Sequence, residues 1–191
     1  MMSQLNAAVF FDKDGTLIDD VPYNVDPDRI RLAGGAEVAL QAIAGAGYEI
    51  CVVSNQSGVA RGLFRESALA GVEARIRALL AALGVQLAGF YYCPHHPHGS
   101  EPAYAMDCEC RKPAPGLIAR AADERSIDPA RSWMVGDILN DVESGRRAGC
   151  RTILLDNGNE TEWQRSPERE PHYVSGDLRD AAKIIVDGGA L

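Results

Sequence analysis

The sequence predicts an α/β fold, a doubly wound parallel sheet with helices on both faces. Short apolar runs alternate with helix-period segments along the chain, the pattern of repeated βαβ units. Three of those runs break off into polar turns: Asp12-Lys13-Asp14-Gly15-Thr16, Ser54-Asn55-Gln56-Ser57-Gly58 and Gly136-Asp137. Strand ends of this kind gather at one edge of a parallel sheet, where open α/β proteins bind ligands. No internal repeat or linker interrupts the alternation, so residues 1–191 are expected to form one domain.

Each element has its own signal. Ala7-Ala8-Val9-Phe10-Phe11 is apolar at every position, as a strand covered on both faces must be. A polar segment with Pro22 and Pro27 follows over residues 19–32. Residues 36–46 read as a helix stopped by Gly47, and 48–54 as the second strand. Within 65–83, Leu69, Val72, Ile76, Leu79, Leu80 and Leu83 form one buried helical stripe, which Gly84 ends. A third strand spans 85–92, and an irregular stretch rich in Pro, His and Cys spans 93–115. Then come a helix (116–125), a short strand (132–135), a helix (141–148) stopped by Gly149, and a strand (151–155). Residues 156–171 are polar and predict a surface loop. An edge strand (172–174) and a helix (178–186) with Asp177 as N-cap close the pattern.

Composition narrows the functional classes. A 191-residue chain that is 46% hydrophobic can bury a sizeable core. With 27 acidic and 19 basic residues it carries a net charge of −8, which disfavours nucleic-acid and anionic-membrane partners. A phosphorylated small molecule would have to be met by local cations and a metal ion. No apolar stretch approaches the length of a membrane span, and Met1-Met2-Ser3-Gln4 lacks a basic region followed by an apolar core. A cytoplasmic location and a monomer are the expectations. Cys51 and Cys150 sit in apolar contexts and read as buried thiols.

The strand-end residues carry the chemistry. Two carboxylates one residue apart, Asp12 and Asp14, can share a divalent cation while the second handles a proton. Asp-x-Asp-Gly alone also fits a solvated turn or a calcium loop, but Tyr23 stands where a calcium loop needs its closing acid. Ser54 and Asn55 offer donors to phosphoryl oxygens, Asp137 and Asp141 add acids, and Arg111-Lys112 is a basic pair. Singly, each has a plain alternative as a turn, a helix cap or a solvated surface. Cys93, His95, Cys108 and Cys110 form C-x-H-x12-C-x-C, a donor set for tetrahedral Zn²⁺. His96 competes with His95 for the imidazole position. Four protein ligands leave no open position, so such a zinc is structural, and the loop 93–110 ends beside Lys112.

Taken in chain order, Asp12-Lys13-Asp14-Gly15-Thr16, Ser54-Asn55, Lys112 and Gly136-Asp137 with Asp141 resemble the haloacid dehalogenase superfamily over nearly the whole chain. The resemblance implies a phosphoric monoester hydrolase in which Asp12 attacks phosphorus to form an aspartyl-phosphate. Asp14 then protonates the leaving alkoxide and later deprotonates the water that releases phosphate. It further implies Mg²⁺ held by the Asp12 carboxylate, the Asp14 backbone carbonyl and Asp137, with Asp141 orienting the outer shell. Ser54, Asn55 and Lys112 steady the transferring oxygens. An alkoxide needs a proton, so the second acid favours a phosphatase over a dehalogenase.

Residues 12–18, 54–62, 91–97 and 110–113 look like a narrower group, the heptose-bisphosphate phosphatases, which lack a large cap domain. That likeness implies hydrolysis of the 7-phosphate of D-glycero-D-manno-heptose 1,7-bisphosphate. Gln56, Ser57, Arg61 and Arg111 would then meet the distal phosphate or the sugar hydroxyls. Ile138 stands where that group often has Lys. Histidinol-phosphate phosphatases share the core and the zinc loop, usually with a shorter insert, and are the alternative together with other small sugar-phosphate phosphatases. A phospho-accepting receiver module is the rival from another class, but there the acid pair precedes the phosphorylated Asp.

Overall fold

The computed structural model describes residues 6–188. Its strands are β1 (Ala8–Phe11), β2 (Glu49–Asn55), β3 (Leu87–Cys93), β4 (Trp133–Gly136), β5 (Arg151–Leu155) and β6 (Tyr173–Ser175). They form one six-stranded sheet in the order β3-β2-β1-β4-β5-β6, with every pair parallel. The helices are α1 (Ala36–Gly45), α2 (Leu69–Ala82), α3 (Gly116–Arg125), α4 (Leu139–Arg147) and α5 (Leu178–Val186). The predicted doubly wound sheet is therefore present, and loops and short 3-10 turns stand where a large cap domain would be inserted. Among the described residues no helix is long and apolar enough to cross a membrane. Met1-Met2-Ser3-Gln4 lie outside the described residues.

Side chains alternate across the strands and split the core into layers. Val9, Phe11, Ile50, Val52, Trp133 and Val135 pack with apolar residues of α1, α2 and α5. Ala8, Phe10, Cys51, Val53 and Met134 face Leu117, Ile118 and Ala121 of α3 on the other side. Phe10 and Phe11 are fully buried, each worth roughly 1.5–3 kcal/mol of transfer free energy. Leu69, Val72, Ile76 and Leu80 are the buried stripe of α2, with Leu79 and Leu83 partly buried beside it.

Two boundaries differ from expectation for local reasons. The first turn before α2 is a 3-10 turn, Glu66–Ala68, so the α-helix proper starts at Leu69. α4 starts at Leu139, two residues before Asp141, although the preceding Ile138 has no side chain able to cap. Glu160 supplies the cap from a distant loop, its Oε2 accepting from the Leu139 N–H at 2.6 Å, and Asp141 Oδ2 accepts from the Ile138 N–H at 3.3 Å. Asp177 caps α5 as predicted, accepting from the Asp180 N–H at 2.9 Å.

The strand order reverses at β1. The chain steps from β1 through β2 to β3 on one side, then returns to place β4 on the other. The crevice between the carboxyl ends of β1 and β4 is the switch point where ligands of such sheets bind. Phe11 pairs with both Val52 and Val135, so residues 12, 54 and 137 emerge together at that edge.

Candidate active site

Asp12 leaves β1 with its N–H donating to the Val135 carbonyl at 2.9 Å, which fixes it between β1 and β4. Lys112 reaches the same point from 100 residues away and is buried. Its Nζ donates to Asp12 Oδ1 at 2.5 Å and to the Val53 carbonyl at 2.9 Å, and lies 2.6 Å from Asp141 Oδ1. Burial pulls this ammonium down, but Asp12 and Asp141 outweigh it, so Lys112 sits above the usual lysine range and stays charged. The Asn55 side chain grips the Lys112 backbone, donating to its carbonyl and accepting from its N–H, both at 3.0 Å. Asn55 thus reaches the site through Lys112.

Asp14 is half-buried at the mouth of the crevice. Lys13 pairs with its Oδ1, and Gln56 Nε2 donates to its Oδ2 at 3.2 Å and to Ser54 Oγ at 2.8 Å. Burial raises the Asp14 carboxyl above the ordinary carboxylate range, against the opposing charge of Lys13. Asp137 follows β4 with Thr16 Oγ1 donating to its Oδ1 at 3.2 Å and Asn159 Nδ2 to its Oδ2 at 2.7 Å. Burial, and then the negative charge of Asp12, push its pKa up to about 6. Gly15 is obligatory here: its φ is +77°, and a Cβ would come within 2.3 Å of Asp137 Oδ2.

One carboxylate oxygen each from Asp12, Asp137 and Asp141 lies within 4.8 Å of the others, and all three residues are buried. The Asp141 Oδ1 contact with Lys112 is an ion pair without a well-directed hydrogen bond, and burial raises this carboxyl too. Lys13 pairs with Asp14, so the three buried carboxylates of Asp12, Asp137 and Asp141 crowd around one ammonium, that of Lys112. Buried like charges of that number fit a divalent cation with oxygen ligands.

A second donor cluster lies on the loop that leads to Lys112. Cys93 Sγ is 3.5 Å from Cys108 Sγ, which is 3.3 Å from Cys110 Sγ; His95 Nδ1 is 3.6 Å from Cys93 and 3.5 Å from Cys110. A tetrahedral zinc with S and N ligands needs edges of about 3.5–3.8 Å, close to these separations. No disulfide joins these cysteines. His96 is outside the cluster: its Nδ1 accepts from the His98 N–H at 3.1 Å and its Nε2 meets Arg61 at 3.1 Å. Of the two histidines left open by the sequence, His95 is the one the fold brings to the cysteines. Cys51 and Cys150 are buried, and burial pushes both thiols up to about 12, leaving them unreactive.

Beside Asp14 opens a cavity of about 280 Å³ lined by Lys13, Asp20, Pro22, Tyr23, Asn24, Asn55, Gln56 and Ser57. Of the four residues that the resemblance assigns to the substrate, Gln56 and Ser57 line this cavity, whereas Arg61 and Arg111 do not. Those two cations sit on the side of the cysteine–histidine cluster, Arg61 on His96 and Arg111 donating to the His95 carbonyl at 3.3 Å. Asp20, Tyr23 and Asn24 were missed by sequence reasoning because they lie in a polar stretch with no periodic signal. Asn159 and Glu160 were missed for the same reason, in a segment that reads only as surface loop.

The fold and the acidic switch point define a doubly wound α/β protein with a candidate cation site, and comparison with known proteins narrows the class. Residues 109–181 match the family model described as HAD-hydrolase-like. The chain is 38% identical to the D-glycero-β-D-manno-heptose-1,7-bisphosphate 7-phosphatase of Pasteurella multocida, over 95% of this chain and 97% of that protein. It is 39% identical to the enzyme of the same name from Yersinia pestis, over 96% and 97%. Among solved structures, a D,D-heptose 1,7-bisphosphate phosphatase from B. bronchiseptica, complexed with magnesium and phosphate, superposes with a TM-score of 0.74 at 28% identity, covering 95% of this chain and 99% of that one. A HAD-like phosphatase from Mesorhizobium loti superposes with a TM-score of 0.82 at 35% identity, covering 96% and 87%. The chain belongs to the family of D-glycero-β-D-manno-heptose-1,7-bisphosphate 7-phosphatases, within the HAD-like hydrolases.

Proposed function

We propose that this protein is a magnesium-dependent phosphomonoesterase that removes the 7-phosphate of D-glycero-D-manno-heptose 1,7-bisphosphate through an aspartyl-phosphate. The observation that carries this reading is the constellation at the switch point: Asp12 held by Lys112, with Asp14 two residues on beside an open cavity.

An Asp12 carboxylate oxygen attacks phosphorus, and the bond from phosphorus to the sugar oxygen breaks. Asp14 gives its proton to that oxygen; its upward-shifted pKa favours the protonated form that the step needs. Asp14 then takes a proton from water, whose oxygen attacks phosphorus and releases Asp12 and inorganic phosphate. Lys112 stays charged throughout, steadying Asp12 and the transferring oxygens, and Asn55 positions it. Ser54 is tied to Gln56, and Gln56 to Asp14, so the donors of β2 are set before substrate arrives. Bound magnesium, held by the Asp12 and Asp137 carboxylates and the Asp14 carbonyl, supplies positive charge for the phosphoryl oxygens. Asp141 is the buried acid behind these ligands. Zinc on Cys93, His95, Cys108 and Cys110 is structural and rigidifies the loop that delivers Arg111 and Lys112.

The substrate assignment draws on the family and on charge. Arg61 beside His96 and Arg111 on the His95 carbonyl make this rim cationic, which suits a second phosphate; burial, then Arg111 and Arg61, hold His96 below the ordinary imidazole range. Asp20, Tyr23, Asn24, Gln56 and Ser57 offer polar groups to sugar hydroxyls. The test is kcat/KM across a panel of sugar bisphosphates and histidinol phosphate. The heptose bisphosphate should lead; a clear preference for histidinol phosphate would overturn the substrate while leaving the hydrolase reading intact.

A further inference from the structure

Residues 156–163 cross over the acidic site, and three of their side chains touch three different parts of it. Asn159 Nδ2 donates to Asp137 Oδ2 at 2.7 Å. Asn157 Nδ2 donates to the Gly15 carbonyl at 2.8 Å, holding the peptide next to the Asp14 carbonyl. Glu160 Oε2 accepts from the Leu139 N–H at 2.6 Å, fixing the start of the helix that follows Asp137. The segment is braced internally: the Asn159 N–H donates to Asn157 Oδ1 at 3.2 Å, and Glu160 Oε1 accepts from the Glu162 N–H at 2.8 Å. A Cβ on Gly15 would come within 2.5 Å of Asn159 Nδ2, so loop and site meet without a gap.

We propose that this loop is a clasp for the divalent cation, with Asn159 and Asn157 as positioning residues that set magnesium affinity; the inference rests on the magnesium site described above. A ligand carboxylate has about four lone-pair sites, so Thr16 and Asn159 can fix the Asp137 plane and still leave oxygen lone pairs for a metal. The choice of an amide matters. A lysine or arginine at 159 would supply positive charge and compete with the cation, whereas an amide orients the carboxylate and leaves its charge to the metal. Partners that orient metal ligands typically set affinity by 10- to 100-fold. Both asparagines are exposed, which puts their effect at the lower end of that range.

The experiment is titration calorimetry of the full-length protein with Mg²⁺, alongside the Mg²⁺ dependence of turnover. Asn159→Ala should weaken Mg²⁺ binding about tenfold while kcat at saturating Mg²⁺ stays within about twofold of wild type. Asn159→Gln keeps the donor on a longer arm and should recover part of the loss; Asn157→Ala should show a smaller loss than Asn159→Ala. The thermal midpoint without metal should match that of Gln164→Ala, a control in the same loop. Wild-type Mg²⁺ affinity in Asn159→Ala overturns the clasp, as does a loss seen only in metal-free stability. If the wild-type chain itself fails to bind Mg²⁺, the clasp and the proposed function fall together, which separates that failure from the others.

Discussion

His95, Cys108 and Cys110 come from the single loop that follows Cys93, the last residue of β3, whereas the Asp12 carboxylate and those of Asp137 and Asp141 come from segments far apart in the chain. Beyond Cys93 the first set has no helix or strand to hold it: between β3 and α3 the chain forms hydrogen-bonded turns. The second set is assembled by the sheet, because β1 and β4 are hydrogen-bonded neighbours and Asp141 sits in the first turn of α4. A local set of soft donors can gain its order from the ion. A distributed set of hard oxygen donors must be held against its own repulsion by the hydrophobic core. The two clusters meet at Lys112, whose backbone follows Cys110 and whose ammonium lies on Asp12 and Asp141. One cluster thus sets a residue of the other.

That contrast is most sharply broken at the carboxylate end. Asp12→Asn keeps the shape of the side chain and relieves repulsion in the cluster, so the fold should be retained. Turnover should fall by 10⁴-fold or more, roughly the loss seen when a covalent nucleophile is removed. Steady-state hydrolysis of a phosphomonoester with Mg²⁺, together with circular dichroism, measures both. Activity within 100-fold of wild type would remove Asp12 as nucleophile.

The opposite pattern is expected at the zinc end. Cys108→Ser leaves three donors, and structural zinc contributes roughly 10–16 kcal/mol in small zinc peptides, so even a fraction of that is a large loss here. The mutant should carry clearly less than one zinc per chain. A loss of about 3 kcal/mol would lower the thermal midpoint by about 6–12 °C in a chain of this size. Activity should fall as Lys112 loses one of its two supports, the Asn55 grip remaining. Full metallation with an unchanged midpoint would show that the loop holds itself.

How much of this was legible in the sequence follows the same division. Strand ends were legible because apolar runs stop abruptly at Phe11, Val53 and Val135 and the next residues are polar. The cysteine–histidine cluster was legible because its spacing is local, although only folding separates His95 from His96, which the loop turns toward Arg61. The role of Asn55 was not legible: as a residue type it suits a phosphoryl oxygen, and only the 57-residue crossing to Lys112 reveals its use. Glu160 escaped for a similar reason. A helix start is sought in the residue just before it, and Ile138 there cannot cap, so the sequence pattern places the start late; its cap arrives from 21 residues downstream. What sequence patterns miss here are single polar contacts made across the fold by loop residues without periodicity.

The repulsion inside the carboxylate cluster yields the smallest of these effects and the one with a sign. Burial and the charge of Asp12 raise Asp137 from an ordinary 3.8 to about 6. Between those values the folded metal-free protein binds more protons than the unfolded chain, so stability falls as pH rises through this window. Above it the loss is complete, about 3 kcal/mol at neutral pH. Asp137→Asn removes the charge, although its amide must then face the donors of Thr16 and Asn159. At pH 7.5 without metal, the mutant should melt a few degrees above wild type, and the gap should close as pH is lowered toward 4. Added Mg²⁺ should stabilise wild type and leave the mutant almost unmoved. A mutant less stable than wild type at pH 7.5, with the same pH dependence, would mean that the carboxylates are already relieved by protein donors and that the sheet stores no repulsion for a cation to relieve.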